Sequence, residues 1–301
     1  MPFFTVFTPT YNRAYILPNL YKSLCSQKCK DFEWLIVDDG SEDDTQSVIQ
    51  EWMQDDAKGF TIHYYKKTNG GKPRAINYGV SKATGKYFFM VDSDDSLKDN
   101  AIEKMKLWCL EIDGDESFVG VGAARVYPND EYIKGVKPLV NDDGYIDATN
   151  LERSKYYLDA DMCEAYKTEI FKKFPMATWE GEKFAPEQIA LNDIALAGYK
   201  IRWHEDKIYI CDYLEDGLTK GSFSLEKSNP MGYSMMYNHM LKYPKLSFRN
   251  KLYAACQCTA LSFYGGNPSY IFKSNKPVYS FVTLPIGILL YFRRKKQFGG
   301  R

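Results

Sequence analysis

The stretch Tyr87-Phe88-Phe89-Met90-Val91 runs straight into Asp92-Ser93-Asp94-Asp95. A short, aromatic-rich apolar run of this kind reads as a strand buried on both faces of a parallel sheet. Ligands of open α/β sheets collect outside the carboxyl ends of the strands, which is where the three carboxylates fall. Like charges this close raise one another's pKa unless a cation lies among them. An all-oxygen ligand set favours Mg²⁺ or Mn²⁺ over zinc or copper. The stretch is therefore a candidate divalent-metal site suited to a phosphorylated substrate. The plainer reading of the same residues is a polar strand exit that caps the next helix.

The first hundred residues repeat this design. Residues 3–8, 32–37, 60–65 and 86–91 have the length and composition of strands. Residues 14–26, 44–54 and 73–83 have helical periodicity, with Leu17, Leu20 and Leu24 on one face of the first, and Val48, Ile49 and Trp52 on one face of the second. Strands alternating with helices predict βαβ units and a parallel sheet. Each strand leads into a polar cluster: Thr8 to Arg13, Asp38 to Thr45, Asn69 to Gly79, and Asp92 to Asp95. Any one of these could be a turn or a cap, but four in this order converge on one sheet edge.

Residues 100–215 are less regular. Residues 101–109 and 186–197 are expected helices, with Pro186 near the start of the second and Gly198 just past its end. Residues 117–126, 200–203 and 207–213 are expected strands, and 127–150, rich in Pro, Asn, Asp and Gly, a surface excursion. After about residue 216 Met and Tyr crowd together. An apolar stretch of about 15 residues from Pro277 then ends in Arg293-Arg294-Lys295-Lys296, short of the roughly 20 that a spanning helix needs. Apolar, aromatic and then basic, residues 277–296 suit a segment lying on an anionic membrane surface. A helix packed on its own domain with a solvated basic tail is the alternative.

Composition narrows the function. The 39 Lys and Arg balance the 39 Asp and Glu, and a generic nucleic-acid binder would need a basic excess. The seven cysteines form no Cys-x-x-Cys pair, as expected of reduced thiols in the cytoplasm. The opening residues carry no basic segment and no cleavage site, so export is not expected.

Taken together, "TPTYNR", "WLIVDDGSEDDT", "NGGKPRAINYGVSKATGKYFFMVDSDD" and the looser "GEKFAPEQIALNDIALAGYKI" resemble the family 2 glycosyltransferases, while "YLEDGLT" at 213–219 is similar to their bacterial capsular and exopolysaccharide branch. The resemblance implies the GT-A fold: α/β, with a Rossmann-like, mostly parallel central sheet flanked by helices, and here a C-terminal helical extension. It extends to about residue 215, the expected catalytic domain over 1–215, and the shift in composition sets off 216–301 as a helical region expected to associate with a membrane. Within the catalytic domain, 1–100 would bind the nucleotide sugar and 101–215 the acceptor.

The resemblance further implies a UDP-sugar donor and inversion at the anomeric carbon; with the segment 277–296, the expectation is a saccharide or lipid-linked saccharide acceptor and a cytoplasmic protein placed peripherally on the inner face of a bacterial membrane. By position, Pro9 and Tyr11 would line the nucleoside, and Asp39 would accept from the uracil N–H. Lys72 would lie near the pyrophosphate. Asp92 and Asp94 match the family's Asp-x-Asp, with Asp94 the direct ligand of Mn²⁺ or Mg²⁺, Asp92 near the ribose or a metal-bound water, and Ser93 among the donor-binding positions. The family places its base in a Glu-Asp pair, which here reads Glu187-Gln188. Gln188 cannot take a proton, so Glu187 is the expected base and Glu182 the reserve.

His204 is expected at a strand end on the surface, and Cys256 and Cys258 in helix packing. Gly70-Gly71-Lys72 is too short for a P-loop. Two other functions stay open at this point. A sugar nucleotidyltransferase would need a Gly-rich loop after the first strand, and Thr8–Arg13 has no glycine. A non-catalytic nucleotide-sugar-binding protein on a degenerate fold would fit Gln188 but not the intact Asp92 and Asp94.

Overall fold

The computed structural model describes residues 1–212 and 222–299; the segment 213–219 singled out above lies outside the described residues. The chain forms two compact units. One is Met1–Pro175 with Leu191–Asp212, and the other is Met176–Ala190 with Tyr213–Arg301.

In the first unit the chain runs β1 (Phe4–Thr10), α1 (Leu17–Cys25), β2 (Phe32–Asp38), α2 (Thr45–Met53), β3 (Thr61–Lys66), α3 (Lys72–Lys82), β4 (Tyr87–Met90), β5 (Ser96–Leu97), α4 (Ala101–Glu111), β6 (Phe118–Val126), β7 (Tyr145–Ala148), β8 (Met162–Lys167) and α5 (Thr168–Phe171). Helix α6 (Gln188–Leu196) begins in the second unit and ends in the first, which β9 (Lys200–Ile210) completes. The strands form one sheet in the order β3-β2-β1-β4-β8-β6-β9-β5, with β7 also paired to β9. The pairs β1/β2, β1/β4 and β2/β3 are parallel, whereas β8 is antiparallel to both β4 and β6.

Every residue of β2 is buried, as are Phe4, Val6 and Phe7 of β1 and Tyr87, Phe88 and Phe89 of β4. Such strands cannot alternate polar with apolar residues, which is why they read as continuous apolar runs. Helix α1 covers the sheet through Leu17, Leu20 and Leu24. It starts at Leu17, later than its periodicity begins, with Pro18 in the first turn, where a missing N–H costs nothing. The parallel register sets Thr10 beside Asp38 and Asp38 beside Lys66, and Met90 opposite Phe7. The polar clusters after β1, β2 and β4 thus leave the sheet at one edge.

Two expectations change. The strands expected over 200–203 and 207–213, the last residue of which lies outside the described residues, are one: β9 is continuous from Lys200 to Ile210, with register shifts against β6 at Ala123 to Arg125 that take up the polar Glu205-Asp206 interruption. The excursion at 127–150 is not all loop, since its last part forms β7 against β9.

The second unit holds α7 (Ser222–Ser228), α8 (Pro230–Met240), α9 (Phe248–Tyr264) and α10 (Pro277–Gln297). Its centre is α9, which buries Ala254, Ala255, Cys258, Ala260 and Leu261. Cys256 and Cys258 are buried in the packing of this helix, as expected.

Candidate active site

Asp38 and Asp39 close β2 and do different work. Asp38 is fully buried and accepts from the Ser41 N–H at 2.7 Å and the Tyr64 hydroxyl at 2.6 Å, which fixes the turn. Asp39 accepts from the N–H groups of Gly70 at 3.0 Å and Gly71 at 2.6 Å, and pairs with the Lys67 ammonium. Its carboxylate therefore orders the loop that leads into α3. An ionised carboxylate has about four acceptor positions, so three bonds leave room for one more donor. Beyond β1, the Tyr11 ring is 45% exposed. Next to it Asn12, at φ 53°, links the clusters after β1 and β2: its N–H donates to Ser41 Oγ and its Oδ1 accepts from the Glu42 N–H.

The carboxylates after β4 sit in unequal surroundings. Lys72, the first residue of α3, places its Nζ 2.7 Å from Asp92 Oδ1. The Arg125 guanidinium on β6 lies 3.4 Å from both Asp92 and Asp95. Burial pushes Asp92 up, but Lys72 and Arg125 outweigh it and hold the carboxyl at about 2. Burial pushes Asp95 up to about 7, with the charges of Asp92 and Asp94 adding to the shift and Arg125 and the Tyr209 hydroxyl opposing it. Asp94 is raised by burial and then by Asp92. The charges of Arg13 and Lys72 oppose that rise. Tyr209 of β9 donates to Asp95 Oδ2 at 2.6 Å and accepts the Asp92 N–H at 3.0 Å, while its ring lies under the Arg125 guanidinium at 4.3 Å.

Neither Arg125 nor Tyr209 was foreseen from the sequence. A signal existed for Arg125, the sole charged residue in the apolar run 118–126. Tyr209 gave none, since an aromatic residue in a strand is ordinary packing.

Among the described residues no three His, Cys, Asp or Glu side chains converge as a preformed metal cage. The residues still fit a hard divalent cation that arrives with a diphosphate, because such ions are usually held by one or two carboxylates plus phosphate oxygens. Of the two carboxylates that flank Ser93, Asp92 is already neutralised by Lys72 and Arg125, whereas Asp94 is raised by burial and then by Asp92.

Pro9 is the last residue but one of β1, and Ser93 is buried between the two aspartates. The expected base belongs to the other unit. There Glu187 is half-buried just before α6. Glu182 accepts from the N–H groups of Met231 and Gly232, both at 2.8 Å, and so caps the start of α8. His204 is not at a surface strand end. It is buried within β9, stacked on Trp108 at 3.9 Å, and burial lowers its pKa to about 4.

Residues 5–174, more than half of the chain, match glycosyl transferase family 2, and the chain belongs to that family. A Campylobacter jejuni GalNAc(5)-diNAcBac-PP-undecaprenol beta-1,3-glucosyltransferase is 38% identical over 35% of this chain and 34% of its own length. The putative teichuronic acid biosynthesis glycosyltransferase TuaG of Bacillus subtilis is 31% identical over 47% of this chain and 56% of its own. The matched segments thus span between a third and a little over half of these relatives. Among solved structures, S. aureus TarS with UDP-GlcNAc superposes with a TM-score of 0.63 at 18% identity, covering 97% of this chain and 82% of that one. The mannosyltransferase PcManGT of Pyrobaculum calidifontis, with GDP-Man and Mn²⁺, gives 0.57 at 15% identity, covering 99% and 83%. These two similarities establish the GT-A fold.

Proposed function

We propose that this protein transfers a sugar from a UDP-sugar to a hydroxyl of a lipid-linked saccharide, with inversion, during assembly of a bacterial surface polysaccharide. The observation that carries the reading is the strand-end cluster, in which Lys72, Arg125 and three aspartates meet beside an exposed Tyr11 and a loop-ordering Asp39. A UDP-sugar in a GT-A relative and an undecaprenol-linked acceptor in a sequence relative support the choice of substrates.

Tyr11 offers a flat apolar face to the base, and Asp39 has one acceptor position left for a base N–H. Lys72 supplies a compact positive charge at the diphosphate. Asp94 would hold Mn²⁺ or Mg²⁺ with Asp92 beside it, and such an ion stabilises negative charge on the leaving diphosphate. Glu187 takes the proton of the acceptor hydroxyl as its oxygen bonds to the anomeric carbon and the bond to phosphate breaks, releasing UDP. Residues 277–296 would keep the protein on the cytoplasmic face of the membrane, near a lipid-linked acceptor.

Calorimetric titration of UDP tests the donor site. Binding is expected with Mn²⁺, lost in EDTA, and lost in Asp94→Ala. Glu187→Gln is expected to abolish sugar transfer while leaving UDP binding within twofold of wild type. Metal-independent UDP binding would remove the ion from the reading, and full turnover by Glu187→Gln would remove the base.

A further inference from the structure

Helix α10 has its polarity reversed for a helix in water. It turns Ser280, Thr283 and Gly287 inward, and a Cβ on Gly287 would fall 2.6 Å from Cβ of Thr259 on α9. Outward it shows Val278, Phe281, Val282, Ile286, Leu289 and Phe292, each between 55% and 72% exposed. These recur at helical spacing over 15 residues, a stripe roughly 21 Å long. A surface helix in water keeps its apolar stripe for its neighbours. Small residues toward the neighbouring helix and large apolar ones outward is the arrangement found where the surroundings are hydrocarbon. No described helix is long and apolar enough to cross a membrane, so the stripe calls for contact along the helix rather than a span.

Charge identifies the occupant. Residues 241–301 contain eleven Lys and Arg and no Asp or Glu, in a chain whose totals are 39 and 39. Arg293 and Lys296 are exposed at the end of the stripe, and Lys273 and Lys276 are exposed before its start, next to a 70% exposed Phe272. A second copy of the chain would set this positive charge against itself. An anionic surface would neutralise it while taking up the apolar side chains.

We infer that the outward face of α10, with the basic residues at its two ends, is a docking surface for an anionic lipid bilayer, on which the helix lies flat. The inference deepens the membrane half of the reading above and is independent of its chemical half, because it needs neither donor nor acceptor.

Vesicle flotation with the full chain tests it. Binding is expected to phosphatidylcholine vesicles containing phosphatidylglycerol, at least tenfold weaker to phosphatidylcholine alone, and weaker again in 0.5 M salt. Leu289→Asp with Phe281→Asp, both on the outward face, is expected to melt with wild type and to bind at least tenfold more weakly. Equal binding to neutral and anionic vesicles, or wild-type flotation by the double variant, would overturn the proposal. So would a dimer in vesicle-free solution that the same two substitutions dissociate, since a second copy would then be the occupant. Failure here leaves the UDP titration untouched, and failure of that titration leaves flotation untouched.

Discussion

Two cationic or titratable side chains, the half-buried Arg125 and the buried His204, behave in opposite ways. Arg125 is needed because of its neighbours. It faces Asp92 and Asp95 at 3.4 Å, donates through Nε to the Met162 carbonyl at 3.1 Å, and lies over Tyr209. Removing one partner of a buried charge cluster strands the others, at a cost of about 3 kcal/mol. Arg125→Met is therefore expected to lower the melting temperature by several degrees, and Asp95→Asn in the same chain to restore part of the loss. Simple additivity of the two substitutions in thermal unfolding would refute the coupling.

His204 instead couples stability to pH. Its pKa is about 4 in the folded protein against 6.5 for an unperturbed imidazole, because burial disfavours the charged ring. Below 6.5 the unfolded chain binds a proton that the folded chain does not, so stability falls as pH drops from about 6.5 towards 4. At pH 5 the loss is about 2 kcal/mol from 1.5 units at 1.36 kcal/mol each. His204→Phe, which keeps a ring on Trp108, is expected to lose less stability than wild type between pH 7 and pH 5. Parallel denaturation profiles for the two proteins would show that His204 does not titrate in this way.

At the scale of elements, the sequence is most informative where local pattern and long-range packing agree. Strands β1, β2 and β4 are buried on both faces, so their apolar runs are unambiguous, and the clusters that follow them mark one edge from the sequence alone. Later elements depend on partners distant in sequence. The two residues of β5 are a strand only because β9 lies beside them, and β7 emerges from a Pro- and Gly-rich stretch through pairing with β9. The Asp92–Arg125–Tyr209 cluster was hidden for the same reason, as it joins β4, β6 and β9 across more than a hundred residues. What was legible near β2 can be tested there. Gly40 follows the strand at φ +88°, and a Cβ would lie 2.9 Å from the Asn69 backbone nitrogen in the loop that Asp39 orders. Gly40→Ala combines an unfavourable backbone region with that contact and is expected to cost at least about 1 kcal/mol. It should also weaken UDP binding, because the loop must move. Wild-type stability and wild-type UDP affinity in this variant would mean that the turn and the donor site are not linked.

For the molecule as a whole, a formal net charge of zero conceals a separation along the chain. With eleven basic and no acidic residues in 241–301, the first 240 residues hold 28 Lys and Arg against 39 Asp and Glu. The family match ends at residue 174, so the basic region lies outside the part that the family defines. Exposed charges act over roughly a Debye length, about 8 Å at physiological salt, so a neutral total does not cancel a local excess. The protein is therefore expected to be retained by a cation exchanger at pH 7.5 in low salt. Neutralising Lys273, Lys276, Arg293 and Lys296 together by substitution to Gln should bring its elution to clearly lower salt with little change in melting temperature. Arg294 provides the contrast within the same basic run. Its guanidinium is turned inward to Glu226 and Gln257 and its side chain is only 14% exposed. Arg294→Gln should hardly move elution and should cost about 2 kcal/mol of stability, the scale of a lost charge-assisted hydrogen bond. If Arg294→Gln instead shifts elution as much as the fourfold variant does, the basic residues act as one mobile cloud of charge, and the division between an outward-facing set and an inward-facing arginine fails.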